Sequence, residues 1–192
     1  MFNLSSSFSL IIHGYGGQGV KTLASILAEA SINQGLYAQA FPEFGPERRG
    51  APVKAFVRFS SEPILSRAPI EKPDFVIVLD LNVFRLEETK RGLTEDTFLL
   101  LNSEEGPKEI KKKLGLASDY HRINTLDVES FLTGERVVVH PSIPVLGRFL
   151  RITEIIPLDE IRDILREKFF HKIGEKKMKL TDAVLEESYE TL

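Results

Sequence analysis

The strongest chemical signal in the chain is the run Gly14, Tyr15, Gly16, Gly17, Gln18, Gly19, followed by Val20, Lys21 and Thr22. Glycine reaches positive φ without a Cβ clash and lets a ligand or another backbone come close. Where such a turn feeds a helix, the unpaired first-turn N–H groups and the positive dipole end suit an anion. Gly14, Gly16 and Gly19 satisfy the GxGxxG spacing of dinucleotide-binding turns. The ribose-binding acid belonging about 20 residues further on is missing: Gln39 and Ala40 stand there, and the nearest carboxylate is Glu43, beyond Pro42. The GxxxxGK[ST] phosphate loop fits less well. Val20 separates Gly19 from Lys21, which rotates Lys21 and Thr22 by about 100° from the cradle. A tight turn that only packs helix on strand is the structural alternative.

A second candidate lies in residues 41–64, FPEFGPERRGAPVKAFVRFSSEPI. Pro42, Gly45, Pro46, Gly50 and Pro52 exclude a helix and predict a shaped loop. At its tip, Glu47, Arg48 and Arg49 put two guanidiniums beside a carboxylate. That set can clamp a phosphate, a carboxylate substrate or an acidic partner surface; it is equally the composition of a solvated turn with a weak local ion pair.

Other chemistries find less support. His13, His121, His140 and His171 show no i, i+3 or i+4 pairing, so they read as structural residues rather than metal ligands. His13 alone stands beside the glycine turn. There is no GxSxG nucleophile elbow. The chain has no cysteine, which excludes a disulfide framework, a thiolate zinc site, a cysteine nucleophile and a thiolate-held iron–sulfur cluster. Any redox centre must belong to another chain.

These residues need elements to position them. The apolar run 9–13 predicts a strand before the turn, and Val20, Leu23, Ala24, Leu27 and Ala28 predict a helix over 20–34 ended by Gly35. Ala24, Ala28 and Ala30 are small enough to let that helix lie close on a sheet. Further strands are expected at 36–40, 53–59, 75–79, 98–101, 122–125 and 136–139, with helices at 83–89 and 108–114. Asp80 and Asn82 follow the strand 75–79 at the sheet edge where ligands bind in open α/β folds, although Asp80 equally suits the cap of the next helix; Asn102 ends the strand at 98–101. The Lys111–Lys112–Lys113 run reads as a solvated face. From Pro157, a helix with Leu158, Ile161, Leu165 and Phe169 on one stripe is followed by a mixed-charge stretch at 174–179 and a last helix from 181 carrying Leu185, Tyr189 and Leu192. Alternating strands and helices predict an α/β, Rossmann-like domain over 1–156, a mostly parallel sheet flanked by helices. Residues 157–192 form a helical C-terminal extension of the same domain or a subunit-contact appendage.

At 192 residues and 42% apolar, the chain can bury a proper core. With 25 basic and 28 acidic residues it has no basic field for nucleic acid. No apolar run reaches the roughly 18 residues of a membrane span, and the N-terminus lacks a basic signal region, so a cytoplasmic location is expected.

The blocks HGYGGQGVKTLASILAEA, FPEFGPERRGAPVKAFVRFSSEPI and EKPDFVIVLD, in this order, resemble the gamma subunit of the 2-oxoacid:ferredoxin oxidoreductases, the pyruvate and 2-ketoisovalerate type. The resemblance covers residues 9 to 102. Where relatives carry an asparagine and a Met-Leu-Gly stretch, this chain has HPSIPVLGRF at 140–149. The resemblance implies a heterotetramer that converts a 2-oxoacid, coenzyme A and oxidised ferredoxin to acyl-CoA, carbon dioxide and reduced ferredoxin. In it, thiamine diphosphate sits between the alpha and beta subunits, and the beta and delta chains hold the [4Fe-4S] clusters. The gamma chain holds neither and is inactive alone. Gly14, Gly16, Gly17, Gln18 and Gly19, with Glu47, Arg48 and Arg49, would then be coenzyme A or subunit-contact surfaces rather than catalytic ones. An autonomous nucleotide-binding protein using the glycine turn is the competing expectation.

Overall fold

The computed structural model describes residues 7–43, 51–84 and 87–191. The apolar run before the glycine turn is the strand β1 (Ser7–Tyr15), and the turn leads directly into helix α1 (Val20–Asn33). The chain then forms a hairpin, β2 (Tyr37–Glu43) and β3 (Pro52–Ser60), with Phe41 opposite Phe56 and Glu43 opposite Lys54. The strand expected over 53–59 is β3, and the one expected over 36–40 reaches three residues further than expected, because β2 continues through Pro42. Proline is tolerated there because β2 is an edge strand.

Three more strands follow: β4 (Phe75–Val78), β5 (Phe98–Asn102) and β6 (Ile123–Leu126). The six-stranded sheet has the order β2-β3-β1-β4-β5-β6. It is mixed: β3 runs antiparallel to both β1 and β2, while β1, β4, β5 and β6 pair in parallel. Side chains alternate across it as the strand period requires. Leu10, Ile12, Phe75, Ile77 and Leu100 face one core, and Ile11, Val76, Val78, Leu99 and Leu101 face the other.

Helices cover both faces. The short segments α2 (Leu81–Phe84) and α3 (Glu87–Lys90) replace the single helix expected over 83–89, and α4 (Pro107–Leu114) lies on the same side through Ile110 and Leu114. The first core is closed by α1, α5 (Val128–Phe131), α6 (Ser142–Thr153) and α7 (Leu158–Glu190). The strand expected over 136–139 is instead part of a 3-10 turn, Gly134–Val138. Its valines suit a strand, but Val137 and Val138 are exposed and pair with none of the six strands.

The C-terminal element is two helices rather than one. Gly174 breaks it with φ 76° and ψ 170°. In a straight helix residues 16 and 24 apart lie about 24 and 36 Å from each other. Yet Arg166 reaches Asp182 at 2.9 Å and Arg162 reaches Glu186 at 3.1 Å. The chain therefore folds back at Gly174 into an antiparallel hairpin, and the second arm begins immediately after the glycine rather than near 181. The hairpin packs on the domain: Lys168 pairs with Glu29 of α1, and Arg136 of the 3-10 turn pairs with Glu187. Gly147 of α6 lies so close to the second arm that a Cβ there would stand 2.1 Å from Ser188 Oγ.

Candidate functional site

β1 leads through α1 toward the β2 edge, whereas β4 leads through α2 and α3 to β5 on the other side. The switch point lies between β1 and β4, where open α/β sheets bind ligands. The glycine turn stands at the end of β1 and Asp80 at the end of β4.

Within the turn, Gly17 and Gly19 adopt φ of 100° and 87°. Gly19, at the N-cap of α1, accepts the first helical hydrogen bond from Leu23 N at 2.8 Å. Gly14 is needed for space: a Cβ would stand 2.8 Å from Val20 Cγ2 and 3.0 Å from Gln18 Oε1. Gln18 folds back across the turn. Its Oε1 accepts from Tyr15 N at 2.7 Å, and its Nε2 donates to Asp80 Oδ2 at 3.1 Å. The other Asp80 oxygen caps α2 by accepting from Asn82 N at 2.9 Å. Asn102 continues the line, donating to Leu79 O and accepting from Val128 N, each at 3.2 Å. Together Gln18, Asp80, Asn102 and Glu129 of α5 line a polar cleft of about 350 Å3 at this edge.

His140, read from sequence as structural, belongs to the same site. Its Nδ1 accepts from Ser142 N at 3.3 Å and lies 2.9 Å from Ser142 Oγ, which leaves Nε2 to carry the proton and donate to Gly17 O at 3.3 Å. The ring lies against the turn, and a Cβ on Gly19 would be 2.7 Å from its Cε1. The sequence spaces His140 more than a hundred residues from the turn, so no local pattern announces the contact. Helix α6, which carries Ser142, was likewise unexpected. Pro141, Pro144 and Gly147 look like breakers, but Pro144 sits in the first turn of α6, where proline leaves no helical hydrogen bond unmade.

The chain on either side of the tip of the second candidate segment returns to the same place. Glu43 and Ala51, the described residues flanking it, both lie at this edge: Glu43 pairs with Lys54 at 3.0 Å, and Ala51 O accepts from Gly16 N at 3.3 Å. Glu47, Arg48 and Arg49 themselves lie outside the described residues.

Chemically, the turn is a locked one. Tyr15 N–H, a donor a phosphate would use, is taken by Gln18, and His140 and Ser142 occupy the space beside Gly19. His13, buried beside Lys54 and Phe84, is pushed down from 6.5 to about 4, chiefly by burial, and stays neutral at physiological pH. Among the described residues no group of three or more histidine, aspartate or glutamate side chains is placed to hold a metal ion, and no helix is long and apolar enough to cross a membrane.

Comparison with known proteins adds an independent line. The pyruvate ferredoxin/flavodoxin oxidoreductase family matches residues 9–187. Pyruvate synthase subunit PorC of Thermotoga maritima is 35% identical over 183 residues, 95% of this chain and 93% of that one. The pyruvate/ketoisovalerate oxidoreductases common subunit gamma of Pyrococcus abyssi is 34% identical over 176 residues, 92% of this chain and 94% of that one. The crystal structure of pyruvate oxidoreductase subunit PORC from Thermotoga maritima superposes with a TM-score of 0.82 at 33% identity, covering 97% of each chain.

Proposed function

Because the chain belongs to the pyruvate ferredoxin/flavodoxin oxidoreductase family and is a gamma subunit of a 2-oxoacid:ferredoxin oxidoreductase, we propose that it is a noncatalytic support of that complex. Its glycine turn anchors the segment that meets coenzyme A or a neighbouring subunit. The observation that carries this reading is the hydrogen bond from Gly16 N to Ala51 O. It ties Ala51, which follows Glu47, Arg48 and Arg49 in the chain, to a turn in which Tyr15 N–H is taken by Gln18 and Gly17 O by His140.

The complex decarboxylates a 2-oxoacid oxidatively, forms acyl-CoA from coenzyme A and passes the electrons to ferredoxin. Thiamine diphosphate and the [4Fe-4S] clusters belong to the alpha, beta and delta chains. A chain without cysteine offers no thiolate to a cluster. Arg48 and Arg49 offer planar forks suited to phosphate, of which coenzyme A carries three. The Pyrococcus relative is named as common to pyruvate and ketoisovalerate oxidoreductases. A chain shared between two substrates is not the one that chooses between them, so the 2-oxoacid is selected elsewhere. The complex works in the cytoplasm. Residues 157–192 belong to the same folding unit as residues 1–156.

The test is a reconstituted complex carrying Arg48→Glu and Arg49→Glu. The KM for coenzyme A rises about tenfold or more, as expected for lost phosphate contacts, while the KM for the 2-oxoacid stays put. A complex that forms with both constants unchanged overturns the coenzyme A contact. Loss of co-purification with the other subunits assigns the segment to subunit contact instead. A tagged chain that recovers no thiamine- or cluster-containing partner from its host would overturn the complex itself.

A further inference from the structure

A second recess, of about 200 Å3, opens between α1, the start of α6 and the closed end of the α7 hairpin. Leu23, Ile143, Leu146, Leu165 and Met178 are buried in its walls, whereas Thr22 and His140 are exposed and stand at its mouth. Cavities of about 150 Å3 lined by such side chains take up benzene, so this one admits a chain of about five or six carbons.

The recess also has a charge. Half-buried Lys177 lines it, and no aspartate or glutamate does. Elsewhere in the hairpin, Lys168, Lys176 and Lys179 are paired with Glu29, Glu135 and Glu175. Lys177 makes no ion pair among the described residues. A partly desolvated ammonium beside an apolar wall favours an anion that brings its own apolar body. Thr22 lies in the first turn of α1, whose positive dipole end has the same preference.

We propose that this recess binds a small apolar monocarboxylate, with its hydrocarbon chain between α1, α6 and the hairpin and its carboxylate on Lys177. The site is separate from the polar cleft at the switch point and does not depend on the complex. It adjoins the glycine turn through His140, which lines the recess and donates to Gly17 O.

The experiment is calorimetry on the full chain with hexanoate, 1-hexanol and hexylamine as probes. Hexanoate binds saturably with one site per chain, and hexanol and hexylamine bind about tenfold more weakly or not at all. Lys177→Gln, a change at a half-buried position that leaves the packing intact, weakens hexanoate about tenfold and leaves hexanol unchanged. Thr22→Trp fills the mouth and removes binding of every probe. No heat with hexanoate at ~10 mM, hexanol binding as well as hexanoate, or full affinity in Lys177→Gln each overturns the proposal.

Discussion

The carboxamide of Gln18 joins two strand ends, accepting from Tyr15 N at 2.7 Å within its own turn and donating to Asp80 Oδ2 at 3.1 Å across the sheet. Gln18→Ala leaves a half-buried backbone donor and a carboxylate oxygen without that partner. It is expected to cost about 1–2 kcal/mol, seen as a lower urea midpoint with an unchanged m-value. Gln18→Glu keeps an acceptor for Tyr15 but sets a carboxylate against Asp80. Its deficit against the parent should be larger at low ionic strength than at high, where salt screens the repulsion. Equal deficits at both ionic strengths would show that the contact with Asp80 contributes nothing.

The ring of His140 sets a second limit on the turn. Gly19 needs its left-handed φ of 87°, and a Cβ there would also stand 2.7 Å from His140 Cε1. Gly19→Ala is therefore expected to lose about 1–3 kcal/mol. Adding His140→Gly removes the steric part and leaves the backbone strain, so the double variant is more stable than the sum of the two single losses predicts. Strict additivity in urea unfolding would place the ring away from Gly19.

Residues that act through local pattern were legible in the sequence. The glycine turn, the small face of α1 and the buried strands β4 and β5 all follow from spacing or from continuous apolar runs. The line formed by Asp80 and Asn102 follows from their positions after strands. What was not legible depends on distant neighbours. Val137, Val138 and Val139 are strand-like by type, but they close a 3-10 turn instead of joining the sheet. Pro144 looks like a breaker and lies in a helix start. His140 meets Gly17 only because α6 lies against the turn. Gly174 has the composition of a linker, and only ion pairs across the hairpin reveal it as a reversal.

His13 makes the fold sensitive to acid. Burial, with Lys54 nearby, holds its imidazole near 4 in the folded chain against 6.5 when exposed. Between those values the unfolded chain binds the proton and the folded one does not, so stability is full above about 6.5 and falls as the pH drops toward 4. The loss over that window is about 3 kcal/mol. Urea midpoints measured from pH 7.5 to 4 should show this slope, and His13→Gln should flatten it by the same amount. An unchanged slope in the variant would assign the acid sensitivity to other groups.

The C-terminal hairpin rests on α6 through a missing side chain. A Cβ on Gly147 would lie 2.1 Å from Ser188 Oγ and 2.5 Å from Leu185 O, and Ser188 is buried, with its hydroxyl on Leu185 O at 2.9 Å. A hydroxyl can move, but the carbonyl belongs to the helix backbone, so the second arm must back away as a unit. Gly147→Ala is expected to cost about 1–3 kcal/mol as an overpacked contact, and Ser188→Gly added to it restores only part because the carbonyl remains. Gly35 supplies the contrast: its φ is 79°, but a Cβ there meets nothing within 4 Å. Gly35→Ala therefore carries backbone strain alone, and no change at Ser188 repairs it. If the hairpin folds with the sheet, Gly147→Ala lowers a single unfolding transition recorded by both far-UV circular dichroism and tyrosine fluorescence. A separate early transition confined to the helical signal would make residues 157–192 an independent appendage.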